Sequence, residues 1–529
     1  MERLRHTLLY IVEKKTLLFC IWTAFLFRML AAFFSRGIAF GYEHYVYLEN
    51  AQQLLSGQTS LSEFLYGGES TFIQHGYSLL YLCVNWLALF VGEFFGIFDP
   101  RSKMFVIRLV HALASLLTVY YSYRIVRLFS TRKVGLAVGL TVAVLWIEPF
   151  ISVRNFAENV SAILLLAGFY RLAKYDPKKF KFADDLFTGF LMAIGFSVSY
   201  HSGVFILGVF ISMIIRGSHK RAMYFLLGAF VSAMSFEGLV GSVLFHEPFY
   251  MLSEYVQTIL SGRLTTNGSS AYYMYISILI VMFLFPWGMV AFYGFIRSWK
   301  KYFMIFFPVC FYIVVHYLIP YKQERFMLNI LPFYIILVVA GLYNFRRTSE
   351  FFVRHSVLSR WVVLSFVIVN IPLLIITSTA YMRRPQVESM LFLSKYRQSV
   401  KSIFVDDPAN DSSKSFPPFY FGGRLIQYVY NRQPEPDSSI VNSYQQDGSD
   451  IRYLFSRDYF VDKDDSLRPS YVFFYGNYDI EQRAEAVRKI FPDLTFVEKI
   501  DPSLSDLTIE YFNNTNLNPP VYIYSTVPE

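Results

Sequence analysis

Charged residues are scarce in this sequence. Only 16% of its 529 residues are Asp, Glu, Lys or Arg, whereas 54% are hydrophobic, and the mean hydropathy is +0.38. A soluble domain carries about 25% charged residues, so this chain lacks the polar groups that a water-exposed surface needs. The composition excludes an ordinary soluble protein and favours one embedded in a membrane.

Cysteine is rare as well. The three cysteines, Cys20, Cys83 and Cys310, all lie within apolar runs. They provide neither a disulfide framework nor the spacing of a metal site, and we expect no metal and no cofactor. The net charge of +9 comes mostly from short loops rather than from one basic patch, so we expect no nucleic-acid partner.

Long apolar runs fill the first 380 residues. Crossing the hydrocarbon core of a bilayer takes about 20 apolar residues, and most of the runs are long enough. We therefore predict a mainly α-helical, polytopic transmembrane bundle over 1–380. The runs are 17–34, 76–98, 105–121, 134–151, 156–173, 186–215, 222–246, 271–296, 303–319, 327–343 and 361–380.

Lysine and arginine predict the orientation of this bundle. The positive-inside rule places five Lys/Arg-rich loops in the cytoplasm, at 132–133, 170–181, 216–221, 297–301 and 344–360. The alternation is consistent only if 76–97 lies along the outer interface or re-enters instead of crossing. This gives about eleven spans, whereas twelve crossings would place several positive loops outside.

The sequence changes character after residue 380. Apolar runs shorten to strand length and are separated by Pro, Asn, Asp and Ser, as in a soluble domain. The interval 479–491 has the apolar spacing of a helix. We predict an extracytoplasmic α/β domain over 381–529, with strand-length runs at 402–407, 470–476, 493–500, 506–512 and 520–526.

Polar residues gather in three loops predicted to lie outside. Such residues at a membrane surface or within it are costly, which makes them functional candidates. Lys and Arg can hold a phosphate, and a carboxylate can accept a proton from an attacking hydroxyl group, so the set suits transfer from a lipid phosphate. The candidates are Glu43, His44 and Glu49, then Arg154 and Glu158, then Lys322, Glu324 and Arg325.

Four stretches, in order along about 300 residues, carry a family resemblance. They are "GYEHYVYLENAQQLLSG" (41–57), "RLVHALAS" (108–115), "VRNFAENVSAIL" (153–164) and "YKQERFMLNILPF" (321–333). The chain resembles the polytopic, lipid-phosphate-sugar-dependent glycosyltransferases of the GT-C superfamily. Within that superfamily it is most similar to family 22, the mannosyltransferases of GPI anchors and N-glycan precursors. Two departures stand out, because Tyr42 replaces the family's first-loop Asp and Tyr321 replaces a His.

The resemblance implies a function and a set of roles. A monosaccharide, with mannose as the candidate, would pass with inversion from a polyprenyl- or dolichyl-phosphate donor to an extracytoplasmic glycan or glycolipid acceptor. Glu43 would be the catalytic base, and Lys322, Arg325 and Arg154 would bind the donor phosphate. The acceptor or cleft set would be His44, Glu49, Glu158 and Glu324. The divergence favours a bacterial inner membrane with a periplasmic active site over the ER membrane.

Other interpretations stay open at this point. A lipid or sugar transporter or flippase would also have many spans and buried charges, although transporters tend to contain internal repeats. The Tyr42 departure allows a catalytically inactive GT-C scaffold. Individual residues can also be interpreted as purely structural. Lys322 would then be a membrane anchor, and His111 would be a helix-packing group. Glu324 would form an ion pair with Arg325 or Arg154.

Overall fold

The structure is a computed structural model. It describes residues 15–39, 43–66, 71–174, 181–261, 273–319, 321–407, 416–430, 442–446, 449–454, 460, 468–512 and 518–527. Most of the described residues are helical, and the strands lie almost entirely in the C-terminal part. The predicted class, a mainly α-helical chain with a C-terminal α/β region, is confirmed.

The apolar runs form helices because a helix satisfies all its backbone polar groups internally, as hydrocarbon requires. From the amino end these are α1 (Thr16–Phe34), α2 (Glu43–Ser56), α3 (Leu61–Tyr66), α4 (Thr71–Gln74), α5 (Leu79–Phe94), α6 (Pro100–Phe129), α7 (Arg132–Val144), α8 (Glu148–Ser152), α9 (Ala157–Lys174), α10 (Phe182–Val198), α11 (Ser202–Ile215), α12 (His219–Ala233), a π-helix (Met234–Leu239) and α13 (Val240–Phe245). They continue with α14 (Tyr250–Leu260), α15 (Met274–Val281), α16 (Trp287–Arg297), α17 (Phe303–Leu318), a 3₁₀ helix (Glu324–Asn329), α18 (Leu331–Thr348), α19 (Glu350–Arg354), α20 (Ser356–Ser378), α21 (Arg384–Ser394), α22 (Pro418–Phe421), α23 (Ile480–Arg488) and α24 (Leu504–Phe512).

Four helices among the described residues are long and apolar enough to cross a membrane. They are Thr16–Phe34, Pro100–Phe129, His219–Phe245 and Val357–Ser378. Other predicted spans are shorter or divided; the run 134–151, for example, is split between α7 and α8. The count of about eleven spans therefore stays a prediction.

The chain divides into two compact units. The first unit contains Met1–Phe34, His75–Tyr81 and Arg108–Thr379, and the second contains Ser35–Gln74, Leu82–Ile107 and Ala380–Glu529. Much of the first predicted outer loop thus belongs to the same compact unit as the C-terminal α/β region.

Two helices of the first unit, α10 and α12, pack with their backbones in close approach. A Cβ atom on Gly189 would lie 1.9 Å from the carbonyl oxygen of Phe225, and one on Gly228 would lie 1.8 Å from that of Leu186. Small residues allow such approach between membrane helices, where van der Waals packing rather than the hydrophobic effect drives association. The two glycines therefore set the separation of this helix pair.

Replacing Gly228 with alanine is expected to force α10 and α12 apart. Overpacking of this kind costs roughly 1–3 kcal/mol in the free energy of unfolding, which outweighs the better helix propensity of alanine. The measurement is the midpoint of unfolding of the purified protein in detergent. Gly92→Ala is the matched control, since a Cβ there meets nothing within 4 Å. An unchanged midpoint for Gly228→Ala would contradict this packing.

A buried ion pair lies among the helices of the first unit. The Arg28 guanidinium, on α1, is 3.7 Å from the Glu148 carboxylate, and the side chains are 0% and 4% exposed. Its Nε donates to the Ser115 hydroxyl at 2.7 Å, and its terminal nitrogens donate to the carbonyls of Val142 and Ala143. Those carbonyls close the last turn of α7, where a cation is favourable.

The second unit contains a seven-stranded mixed sheet. Its strands are β3 (Ser402–Asp406), β4 (Ile426–Tyr430), β5 (Asn442–Gln446), β6 (Ser449–Leu454), β7 (Tyr471–Tyr475), β8 (Thr495–Ile500) and β9 (Val521–Ser525), in the spatial order β5-β6-β4-β3-β7-β9-β8. The four central strands β6, β4, β3 and β7 are parallel. A separate parallel pair joins β1 (Arg36–Gly37) to β2 (Tyr381–Met382).

One predicted strand is wrong. The run 506–512 lies in α24, because Ser503 and Asp506 form a capping box at its start. The Ser503 hydroxyl accepts the Asp506 backbone N–H, and the Asp506 carboxylate accepts the Ser503 backbone N–H, each at 3.1 Å. The strand-length runs at 402–407, 470–476, 493–500 and 520–526 and the helix within 479–491 are confirmed.

Candidate active site

The second predicted outer loop is the turn between α8 and α9. Arg154 is only 3% exposed, and its guanidinium lies 4.6 Å from the centre of the Phe150 ring. Glu158 is in the first turn of α9 and is also 3% exposed. The loop therefore holds two ionisable side chains away from solvent.

The third predicted outer loop brings Arg325 to Glu158. Arg325 lies in the 3₁₀ helix, and its Nη1 atom is 3.6 Å from Glu158 Oε1, with side chains 11% and 4% exposed. Its Nε donates to the side chain of Gln323. Glu324 is exposed and makes no ion pair with a described residue, so the suggested partnership of Glu324 with Arg325 or Arg154 is wrong.

Lys322 lies on the same loop as Arg325 and is 8% exposed. Its ammonium donates to the carbonyl of Ile319, immediately after α17, at 2.9 Å. Burying a cation is costly unless it has partners, and this carbonyl is one such partner. The position is more enclosed than that of a simple surface anchor.

Two hydrogen-bonded histidines, His201 and His316, lie beside this loop. His316 Nδ1 donates to the Tyr312 carbonyl at 2.9 Å, and its Nε2 lies 2.9 Å from His201 Nδ1. Because a carbonyl can only accept, the proton of a neutral His316 ring is on Nδ1, and its Nε2 must accept. His201 Nδ1 therefore donates to His316, and His201 Nε2 accepts from the Tyr255 hydroxyl. The His201 ring centroid is 3.6 Å from that of Phe326, so this pair of histidines packs against the residue that follows Arg325.

A second buried network joins α5 and α6 to the turn containing Arg154. The Tyr81 hydroxyl donates to Asn155 Oδ1 at 2.6 Å, so its oxygen accepts from His111 Nε2 at 2.9 Å. Ser78 caps the start of α5 by accepting the Tyr81 backbone N–H at 3.1 Å. Two hydrogen bonds through the Tyr81 hydroxyl thus link His111 to Asn155, the residue that follows Arg154.

The first-loop candidates belong to the second unit. Glu49 is 3% exposed, and its Oε1 accepts the backbone N–H of Phe419 at 3.3 Å. In the same helix, the Tyr45 hydroxyl lies 3.1 Å from that of Tyr420. Glu43 begins α2, but its side chain and that of His44 lie outside the described residues.

Besides the exposed Glu324, four predicted site residues lie in the two neighbouring loops of the first unit: three cations, Arg154, Lys322 and Arg325, and one acid, Glu158. Their excess of buried positive charge suits an anionic ligand such as a phosphate. These loops are supported by four further residues, which the sequence marks only as polar residues within apolar runs: Tyr81, His111, His201 and His316.

Among the described residues, no group of three or more His, Cys, Asp or Glu side chains is arranged to hold a metal ion.

Comparison with known proteins gives a partial match by sequence and a nearly complete one by structure. The family model described as dolichyl-phosphate-mannose-protein mannosyltransferase matches residues 82–238. No curated protein sequence matches the chain.

Three solved structures are similar in fold. ArnT from Cupriavidus metallidurans bound to undecaprenyl phosphate is 12% identical, with a TM-score of 0.62 over 96% of this chain and 98% of that one. The same protein in the apo state is 10% identical, with a TM-score of 0.58 over 96% and 97% of the two chains. The Archaeoglobus fulgidus oligosaccharyltransferase complex with Zn and sulfate is 11% identical, with a TM-score of 0.50 over 90% and 69%.

These findings define the fold of the chain. The fold is that of the polytopic GT-C glycosyltransferases, with a C-terminal α/β region. The fold of the chain and the sequence similarity of residues 82–238 both agree with the GT-C resemblance that the sequence motifs predicted. The matching family model is that of the protein mannosyltransferases, whereas the motif resemblance was to family 22.

Proposed function

We propose that this protein transfers a monosaccharide, with mannose as the candidate, from a polyprenyl- or dolichyl-phosphate donor to an extracytoplasmic glycan or glycolipid. The observation that carries the proposal is the meeting of Arg325 and Glu158, at 3.6 Å, with Arg154 and Lys322 buried on the same two loops. Such a cationic pair of loops at a membrane surface suits the phosphate of a lipid-linked sugar.

The proposed reaction is an inverting displacement. The acceptor oxygen attacks the anomeric carbon and forms the new glycosidic bond, while the bond from that carbon to the donor phosphate oxygen breaks. The electron pair leaves with the polyprenyl phosphate, whose charge Lys322, Arg325 and Arg154 would stabilise. The acceptor proton passes to the Glu43 carboxylate.

The remaining site residues have supporting roles in this proposal. Glu158 holds the Arg325 guanidinium, while His44, Glu49 and Glu324 are assigned to the acceptor side. The description of the matching family names dolichyl-phosphate-mannose, and the ArnT structure with a TM-score of 0.62 is bound to undecaprenyl phosphate. Both descriptions support a lipid-phosphate donor here, and we place the protein in a bacterial inner membrane with a periplasmic active site.

A donor-turnover assay tests the proposal. The full-length protein in proteoliposomes is given radiolabelled undecaprenyl-phosphate mannose and a bacterial membrane glycolipid extract, and release of undecaprenyl phosphate is measured. Lys322→Ala is expected to reduce turnover by about 100-fold, because it removes a cation from the leaving group. Glu43→Gln should reduce it by about 10²–10⁴-fold, because it removes the base.

Two outcomes would overturn this assignment. Wild-type turnover in both variants would remove Lys322 and Glu43 from the reaction. Translocation of the labelled donor across the bilayer without release of undecaprenyl phosphate would favour the transporter interpretation. Lys300→Ala, on a loop predicted to face the cytoplasm, is the matched control and should leave turnover unchanged.

A further inference from the structure

A cavity of about 700 Å³ lies in the first unit, among α1, α6, α7 and α9. Its lining includes five cationic side chains and no acidic one: Lys15, Arg124, Arg127, Arg132 and Lys174. A cavity of this size accommodates a headgroup rather than a single ion. None of these residues belongs to the proposed active site.

The described contacts of these cations are with neutral groups. Arg124 donates to the Tyr170 hydroxyl at 2.9 and 3.2 Å, Arg127 to the Ser130 carbonyl at 3.1 Å, and Arg132 to the Thr16 hydroxyl at 3.1 Å. Among the residues that the structure describes, none of the five cations forms an ion pair. Their positive charge is therefore not neutralised by the described part of the chain.

Apolar side chains complete the wall of this cavity. Leu17, Leu18, Ile21 and Leu128 line it beside the cations, and Leu18 and Leu128 are 43% and 40% exposed. A cluster of cations beside exposed aliphatic side chains suits an amphiphile that has an anionic headgroup and a hydrocarbon tail. A free phosphate would use the cations but would leave the aliphatic wall without a partner.

The position along the helices also fits a lipid. Arg124 and Arg127 are near the end of α6, Arg132 begins α7, and Lys174 ends α9. The positive-inside rule assigns the loops at 132–133 and 170–181 to the cytoplasmic side, opposite the loops of the proposed active site. This predicted orientation puts the cavity at the level of the cytoplasmic headgroups.

We propose that this cavity binds the phosphate headgroup of an anionic phospholipid from the cytoplasmic leaflet. Arg124, Arg127 and Arg132 hold the phosphodiester, and an acyl chain lies along Leu18 and Leu128. A zwitterionic lipid brings its own cation into an already positive cavity, so anionic lipids are preferred. The site is separate from sugar transfer and is tested by binding alone.

Native mass spectrometry of the full-length, delipidated protein tests this site, with phosphatidylglycerol and phosphatidylcholine as probes. We expect wild-type protein to bind phosphatidylglycerol at least about tenfold more tightly than phosphatidylcholine. The triple variant Arg124→Gln, Arg127→Gln, Arg132→Gln should lose this preference. The single variant Arg127→Gln should weaken it several-fold, and it serves as the test if the triple variant does not fold.

The control removes equal charge elsewhere on the same predicted side. Arg297→Gln, Lys300→Gln, Lys301→Gln should retain the preference for phosphatidylglycerol. An equal loss in this control would show attraction by net charge and would overturn the site, as would a wild-type protein with no preference. Displacement of phosphatidylglycerol by millimolar glycerol phosphate would show a soluble-phosphate site and would overturn the lipid assignment.

Discussion

Replacing Arg28 with methionine is expected to lower the free energy of unfolding by about 3–5 kcal/mol, because it leaves a buried carboxylate without its cation. Glu148 is 3% exposed, and its described ion-pair partner is Arg28 at 3.7 Å. The substitution also removes the donors to the Val142 and Ala143 carbonyls. Denaturant titration of the purified protein in detergent, followed by circular dichroism, measures the change.

The double variant Arg28→Met, Glu148→Gln distinguishes an unpaired charge from general loss of packing. Removing both charges eliminates the uncompensated carboxylate, so the double variant should be more stable than Arg28→Met alone. If the two variants unfold at the same denaturant concentration, the ion pair is not the cause of the loss.

Replacing Arg325 with alanine is expected to reduce kcat/KM for sugar transfer by at least about 100-fold, on the proposed function, because one donor to the leaving phosphate is lost. Arg325→Lys should recover part of the activity, since lysine keeps the charge but not the planar fork. The measurement is steady-state turnover of the labelled lipid donor in proteoliposomes. Arg347→Ala, an exposed arginine at the end of α18, is the control and should behave as wild type.

Because Arg325 lies 3.6 Å from Glu158, we expect the activity losses caused by substituting these two residues to be non-additive. If Glu158 acts by holding Arg325, Glu158→Gln should reduce activity in the wild-type background but cause little further loss in Arg325→Ala. Full multiplication of the two losses would mean that the residues act independently. Wild-type turnover in Arg325→Ala would remove this residue from the site.

The membrane helices were predictable because their signal is local. A run such as 303–319 is apolar throughout, and the structure places α17 within it. The strand-length run 506–512 is ambiguous by the same measure, since short apolar runs fit either a strand or a helix. There the capping contacts of Ser503 and Asp506 favour the helix.

The candidate site was predictable in composition but not in its contacts. Sequence motifs identified Glu158 and Arg325 separately, but only the fold shows that these distant residues are 3.6 Å apart. The hydrogen bond between His201, the residue before α11, and His316 on α17 is indicated by no local spacing. Conversely, the exposed position of Glu324 depends on the backbone of a 3₁₀ turn that the charge pattern does not reveal.

The second unit is built from three separate stretches of the chain. Strand β1 pairs with β2, Glu49 accepts a hydrogen bond from Phe419, and Arg101 lies 2.8 Å from Glu388, so early and late segments hold one another. A recombinant fragment beginning near residue 381 would be missing two of its own structural pieces. Soluble production of this region therefore requires a fusion or co-expression that also supplies 35–74 and 82–107. During synthesis on the ribosome, the unit can complete its folding only when the chain is almost finished.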